Sequence, residues 1–216
     1  AAFYKDMAKV LAALHNVDVD RAGLRDFGAP GNYFVRQLGR WTKQYRAAET
    51  EPQPDMDKLI SWLEQHVPED DGALSVVHGD FRLDNLMIAQ GAPKIRAVLD
   101  WELSTLGHPL ADLAYVLMQW RMPVGLERKG LSGVDRGLLG IPSDAEFIEM
   151  YRSHRGLSSI PDMSFYIAFC FFRLAAILQG VKKRGLDGNA SDPERAHRVG
   201  GYVPDVAARG LEAVRG

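Results

Sequence analysis

The sequence predicts an α+β fold that is predominantly helical, with a small β-hairpin near its middle. Apolar residues recur three and four apart before residue 66 and again beyond residue 109. Between residues 74 and 99 they come instead in short runs broken by polar, glycine and proline positions. Of the 216 residues, 46% are hydrophobic and 25% charged, enough to bury a substantial core in one compact unit.

Phe3, Met7, Val10, Leu11 and Leu14 share one helical face, and His15-Asn16 followed by Val17-Asp18 reads as the end of that helix. After a loop through Pro30-Gly31, residues 32–48 set Phe34, Leu38, Trp41 and Tyr45 along one side of a second helix. A Pro-rich turn, Glu51-Pro52-Gln53-Pro54, precedes a third, with Asp55 as its expected cap and Leu59, Ile60, Trp62 and Leu63 as its apolar side. Pro68 and Gly72 interrupt the chain, and residues 74–77, 86–89 and 95–99 then read as short strands framing a loop.

Beyond Pro109, the residues Leu110, Leu113, Ala114, Leu117 and Met118 restore helical spacing. Residues 121–142 are long, glycine-rich and aperiodic, a candidate substrate loop. Ser143-Asp144-Ala145-Glu146 has capping-box spacing ahead of Phe147, Ile148, Met150 and Tyr151, which predicts a further helix. The run 165–181 is apolar, but Arg173 and Gln179 interrupt it and its length is marginal against the ~20 residues a span requires. It is therefore expected to be a core helix, followed by a polar tail, and no repeat or low-complexity tract suggests a solenoid or linker.

A net charge of −2 with interspersed signs provides no polybasic surface, so neither nucleic acid nor an anionic membrane is an expected partner. The single cysteine, Cys170, lies in Phe169-Cys170-Phe171-Phe172, where a buried thiol packs as a small hydrophobe and no internal disulfide can form. With no recognisable secretion signal, this favours a reducing, cytoplasmic location. Nothing in the sequence bears on oligomeric state.

The segment that carries chemistry is His78-Gly79-Asp80-Phe81-Arg82-Leu83-Asp84-Asn85, set between the apolar runs Ser75-Val76-Val77 and Leu86-Met87-Ile88. For a chain of this composition, His, Asp and Asn fall at these offsets by chance in about one case in a hundred. A second acid, Asp100 in Val98-Leu99-Asp100-Trp101-Glu102, ends the next apolar run, and a turn at Gln90-Gly91-Ala92-Pro93 would fold it back towards Asn85. Phosphoryl transfer needs a carboxylate to orient an acceptor hydroxyl and oxygen ligands for magnesium. Asp80 fits the first role; Asn85 and Asp100 fit the second.

These motifs, with Asp-Leu-Ala-Tyr (112–115) and Phe-Arg-Leu-Ala-Ala-Ile-Leu-Gln-Gly (172–180), resemble aminoglycoside phosphotransferase-like small-molecule kinases. The likeness extends over essentially residues 1–216 and is strongest to the branch associated with acyl-CoA dehydrogenases. It implies the C-terminal lobe of a protein-kinase-like fold, with Asp80 catalytic and Asn85 and Asp100 holding Mg2+ and, through it, the nucleotide. It also implies ATP, or another nucleoside triphosphate, as phosphate donor and a small-molecule hydroxyl, such as that of a hydroxyacyl compound, as acceptor. His78 is expected to organise the loop rather than donate a proton, and Asp112 to support the catalytic loop by hydrogen bonding. Gly107-His108-Pro109 departs from the Gly-Asp-Pro frequent in relatives, so no carboxylate role passes to His108, which is expected to be a hydrogen-bonded turn residue. Asp84 and Glu102 remain open between solvated acids and members of the site, and Arg82 between a phosphate contact and a surface arginine. Phe27, Tyr33 and Trp120 could border a pocket, although aromatic core packing is the stronger expectation for them.

The small kinase lobe, with its lysine–glutamate pair and glycine loop, has no counterpart in these residues: there is no G-x-x-x-x-G-K-[ST], and Gly133, Gly137 and Gly140 lack the glycine-loop spacing. The sequence is accordingly read as a lobe whose partner is a missing N-terminal lobe, inactive or nearly so by itself. The alternatives are a noncatalytic metabolite-binding or regulatory lobe and, from the Gly79-Asp80 and Asp84-Asn85 pairs, a metallophosphoesterase, which would need further histidines in complementary motifs.

Overall fold

A computed structural model describes residues 2–124 and 130–215. In chain order its elements are α1 (Ala2–His15), α2 (Tyr33–Ala48), α3 (Pro54–Gln65), β1 (Ser75–Val77), β2 (Leu86–Ile88), β3 (Ile95–Val98), β4 (Thr105–Gly107), α4 (Leu110–Arg121), α5 (Asp144–Arg155), α6 (Ser164–Leu186), α7 (Pro193–Gly200) and α8 (Val203–Ala213). They fall into two compact units, one of Ala1–Pro30 with Asp71–Asp162, the other of Gly31–Asp70 with Met163–Gly216.

The first unit holds the predicted chemistry. Its α1 buries Met7, Ala8, Leu11 and Ala12 and packs on β1, β3 and α5. Two antiparallel ribbons sit beside it: β1 with β4, and β2 with β3. The β2–β3 ribbon is the hairpin read from residues 86–99, pairing Leu86 with Val98 and Met87 with Ala97. Strand β4 has no sequence signature, because three residues are too few to alternate; its register against β1 (Val76 opposite Leu106) is set by burial of those two side chains with Val19. Helix α4 buries Leu110 to Met118 and Trp120, so it presents no polar stripe. Helix α5 starts at the predicted capping box: the Ser143 hydroxyl accepts from the Glu146 N–H at 3.2 Å while the Glu146 carboxylate accepts from the Ser143 N–H at 2.7 Å. The expected substrate loop at 121–142 falls partly outside the described residues, at 125–129; after them come turns in which Arg136 reaches Asp144 at 2.7 Å.

The second unit is all helical. Helix α6 is the long apolar run, and its Phe165, Ile167, Phe169, Phe171, Phe172 and Leu174 are buried, with α2, α3, α7 and α8 packed against it. By length and composition alone it could cross a membrane, but 72% of its most apolar stretch is covered by protein, as suits a core helix. Gln179 is paid for inside the core by donating to Ala48 O at 2.8 Å and Thr50 Oγ1 at 3.0 Å.

Two expectations need correction. Helix α3 begins at Pro54, with Gln53 as its cap and no side-chain cap bond, so Asp55 lies within the first turn. Proline needs no donor there and its φ is already helical, while the Asp55 carboxylate favours the positive end of the helix. The segment after α6 is not merely a polar tail: Asp192 caps α7 by accepting from Arg195 N at 2.9 Å, and Val199, Val203, Val206 and Ala207 are buried. Their apolar faces pack on α6, which outweighs the charged residues on the other sides.

Candidate active site

Asp112, on the first turn of α4 and 1% exposed, is the anchor of the site. Its Oδ2 accepts the His78 backbone N–H at 2.7 Å and its Oδ1 that of Gly79 at 2.8 Å. The loop can turn under this clamp because Gly79 has φ +82° and a Cβ there would stand 2.7 Å from Leu103 O. His78 is fully buried; its Nδ1 accepts from Asp80 N at 3.2 Å, which leaves Nε2 to donate to Leu99 O at 2.9 Å. The imidazole thereby ties the loop to the segment that carries Asp100.

Behind Asp112 lies a pair that sequence reasoning missed. His15 Nε2 is 3.2 Å from Asp112 Oδ2, and its Nδ1 is 2.7 Å from Tyr151 Oη. A carboxylate accepts only, so Nε2 carries the proton and Nδ1 accepts from the phenol. Burial lowers the His15 pKa, even though Asp112 opposes that shift, and burial likewise raises the Tyr151 pKa. Periodicity assigned His15 only to a helix end; no local signal reveals partners 97 and 136 residues away.

Asp80 lies beyond the clamp. Its Oδ2 accepts from Asn85 Nδ2 at 2.9 Å, and the same NH2 bonds Asp80 O at 2.9 Å, so the Asn85 amide is fixed with Oδ1 as its acceptor end. Asp80 Oδ1 accepts from Tyr115 Oη at 2.5 Å. Tyr115 was also missed as a site residue, although it follows Asp112 by three on α4 and so shares its face. Arg82 Nε is 3.2 Å from Asp80 Oδ2 without hydrogen-bonding alignment.

The hairpin returns the chain beside Asn85, where Leu99 N donates to Asn85 O at 2.8 Å, and Asp100 is the next residue. Asp100 is exposed and left-handed (φ 66°, ψ 61°), and among the described residues it alone has positive φ without being glycine. Such a backbone is uncommon outside glycine, asparagine and aspartate and gathers at functional sites.

The model of the phosphotransferase enzyme family, APH, matches residues 1–157. The chain belongs to that family. Mouse acyl-CoA dehydrogenase family member 10 is 48% identical over 191 residues, 88% of this chain and 18% of that protein. A solved structure of a candidate aminoglycoside phosphotransferase from Ralstonia eutropha is 48% identical, with a TM-score of 0.93, covering 99% of this chain and 65% of the other. Spectinomycin phosphotransferase, solved with ADP and spectinomycin, shares the fold at 13% identity and a TM-score of 0.60, covering 96% of this chain and 65% of its own. The chain thus spans less than a fifth of the mouse relative and about two thirds of the solved chains. The architecture is the mostly helical α+β type of kinase-like phosphotransferases, with small antiparallel sheets.

Among the described residues of this phosphotransferase-family chain, no three His, Cys, Asp or Glu side chains converge as a metal cluster. Magnesium in phosphoryl-transfer sites is bound through one or two carboxylates, with substrate phosphates and water supplying the rest. The fixed Asn85 amide and the exposed Asp100 carboxylate fit that sparse donor set. Asp84 is exposed, 3.5 Å from Arg82 Nη1, and Glu102 is exposed. His108 sits at a turn, where its Nδ1 accepts from Leu110 N at 3.2 Å. Of the three aromatics, Phe27 is largely exposed, Tyr33 belongs to the second unit, and Trp120 lines a cavity together with Phe81, Arg82, Leu83 and Asp84.

Proposed function

We propose that the chain supplies the catalytic and magnesium-binding residues of an ATP-dependent phosphotransferase acting on a small-molecule hydroxyl. The observation that carries this is the Asn85 amide held on Asp80 while the hairpin returns Asp100 beside it. Asp80 would orient the acceptor hydroxyl and take its proton as the oxygen attacks the γ-phosphorus and the bond to the leaving nucleoside diphosphate breaks. Tyr115 and Asn85 would hold the carboxylate in place, each using one oxygen, which leaves further lone pairs for the hydroxyl. Asn85 Oδ1 and the Asp100 carboxylate would hold magnesium, which would supply charge neutralisation for the transferring phosphoryl group. His78 and Asp112 would position the loop without touching substrate. ADP in the spectinomycin enzyme supports a nucleotide donor, and relatives named for acyl-CoA dehydrogenation favour a hydroxyacyl acceptor. The nucleotide-covering lobe would come from residues outside this sequence, and a cytoplasmic setting accords with the single buried Cys170, which forms no disulfide.

Calorimetric titration of nucleotide with magnesium tests this, comparing the chain, its Asp100→Ala variant and a longer protein that includes a small lobe. Magnesium-dependent binding that needs Asp100 is the expected result. Nucleotide binding indifferent to magnesium and to Asp100 in every form would sink it.

A further inference from the structure

Asp112 is held from behind as well as in front, and both sides draw on one oxygen. Oδ2 accepts the His78 N–H at 2.7 Å and the His15 Nε2–H at 3.2 Å, whereas Oδ1 accepts the Gly79 N–H at 2.8 Å. The balance at Oδ2 depends on the charge of the imidazole. A neutral ring is an ordinary donor, but an imidazolium makes a charge-assisted bond about twice as strong and pulls Oδ2 away from the loop. The charged groups acting on His15 are Asp112, which favours the imidazolium, and Arg155, which opposes it. On the strands packed against α1, β1 carries no ionisable side chain and Arg96 of β3 is exposed; on α1 itself Asp6 is engaged by the Ile95 N–H at 2.7 Å and Lys9 is exposed. The remaining neighbour is Tyr151, whose Oη lies 2.7 Å from Nδ1. Arg155, one turn further along α5, hydrogen-bonds that same phenol, and its Nη1 donates to His15 O at 2.6 Å. A guanidinium only donates, so the phenol hydrogen is turned towards Nδ1. Donors thus run in one direction, from Arg155 through Tyr151 and His15 to Asp112, and the last three are at most 2% exposed. A hydrogen bond donated to Nδ1 favours the neutral ring.

We propose that Tyr151, oriented by Arg155, is a positioning residue for the catalytic loop: its hydroxyl keeps His15 neutral, which leaves the Asp112 carboxylate to the His78 and Gly79 N–H groups. Phenylalanine fills nearly the same space, so the role lies in one oxygen atom. When His15 takes a proton, Nδ1 becomes a donor facing a phenol that Arg155 already engages, and the phenol hydrogen must turn away from it. The strengthened bond to Oδ2 then slackens the clamp on His78. That displacement reaches Asp80, whose backbone N–H is tied to His78 Nδ1 at 3.2 Å. The consequence for catalysis rests on the phosphotransfer reading; the coupling of imidazole, carboxylate and loop does not.

The test is accordingly made on the chain without nucleotide or magnesium. The 15N-labelled protein and its Tyr151→Phe variant are titrated from neutral towards acid pH, following the His15 ring nitrogens and the His78 and Gly79 amides. In the wild type the ring proton should sit on Nε2. In Tyr151→Phe, His15 should protonate at a pH higher by about 0.5 unit or more, and the two loop amides should shift with it. Their exchange at neutral pH should quicken about five-fold or more, with the amides of α6 unchanged. A ring proton on Nδ1 in the wild type overturns the proposal. So does a His15 that protonates over the same range in both proteins, or one that protonates without moving the two amides. Should Tyr151→Phe fail to fold, Arg155→Gln provides the same comparison, since it removes the donor that turns the phenol. In a longer protein that includes a small lobe, the acid limb of kcat should move up in Tyr151→Phe while the KM for nucleotide stays in place. An acid limb that does not move overturns the catalytic consequence. Absence of any phosphotransfer there counts against the phosphotransfer reading alone, and the NMR comparison still decides the coupling.

Discussion

Asp112 concentrates more structure on one side chain than any residue around it. Truncation in Asp112→Ala strands two buried backbone donors, at His78 and Gly79, and removes the acceptor of His15. With each orphaned group costing about 1–3 kcal/mol, urea unfolding at neutral pH should register a loss of about 3 kcal/mol or more, and Asp112→Asn a smaller one. His15 makes stability pH-dependent. Burial holds its folded pKa below the ordinary 6.5, so between those two values the unfolded chain binds the extra proton. Stability is then complete above pH 6.5 and falls as the pH drops below it, by up to about 1.4 kcal/mol per pH unit for one group. Urea midpoints between pH 7.5 and 5.5 should fall accordingly, and the slope should flatten in His15→Asn if that variant folds.

At the scale of elements, caps and turns act locally and were legible. The Ser143–Glu146 box stands where its spacing places it, and Ser143→Ala should cost about 1 kcal/mol in thermal or urea unfolding. The β2–β3 hairpin was legible too, because Leu86, Ile95 and Val98 flank a turn with Gly91 and Pro93. Its consequence is functional, since the hairpin sets Asp100 next to the strand end that bonds Asn85. Strand β4 was not legible, having three residues and no alternation, and α7 and α8 were overlooked although Asp192-Pro193 and Val203-Pro204 are ordinary helix starts. Charge density in that stretch masked a short apolar face.

Across the whole molecule, each unit is assembled from segments distant in sequence, residues 2–30 with 71–162 and 31–70 with 163–215. In the second unit Leu59 of α3 is fully buried, and a Cβ on Gly210 of α8 would stand 2.5 Å from its Cδ2. Leu59→Ala should therefore cost about 3 kcal/mol. Amide exchange should quicken together in α3 and in α8, even though more than 130 residues separate them. A loss confined to α3 would contradict the packing.

What the sequence determined by itself was local: helical periodicity, the capping box, the hairpin, and the spacing that sets Asp80 five residues before Asn85. Each is encoded within a few residues, where backbone geometry dictates which side chains share a face. Tertiary structure alone decided that His15 and Tyr151 stand behind Asp112 and that Tyr115 grips Asp80. Those relations join distant segments through burial, and burial is what makes an unpaired polar atom costly enough to select its partner.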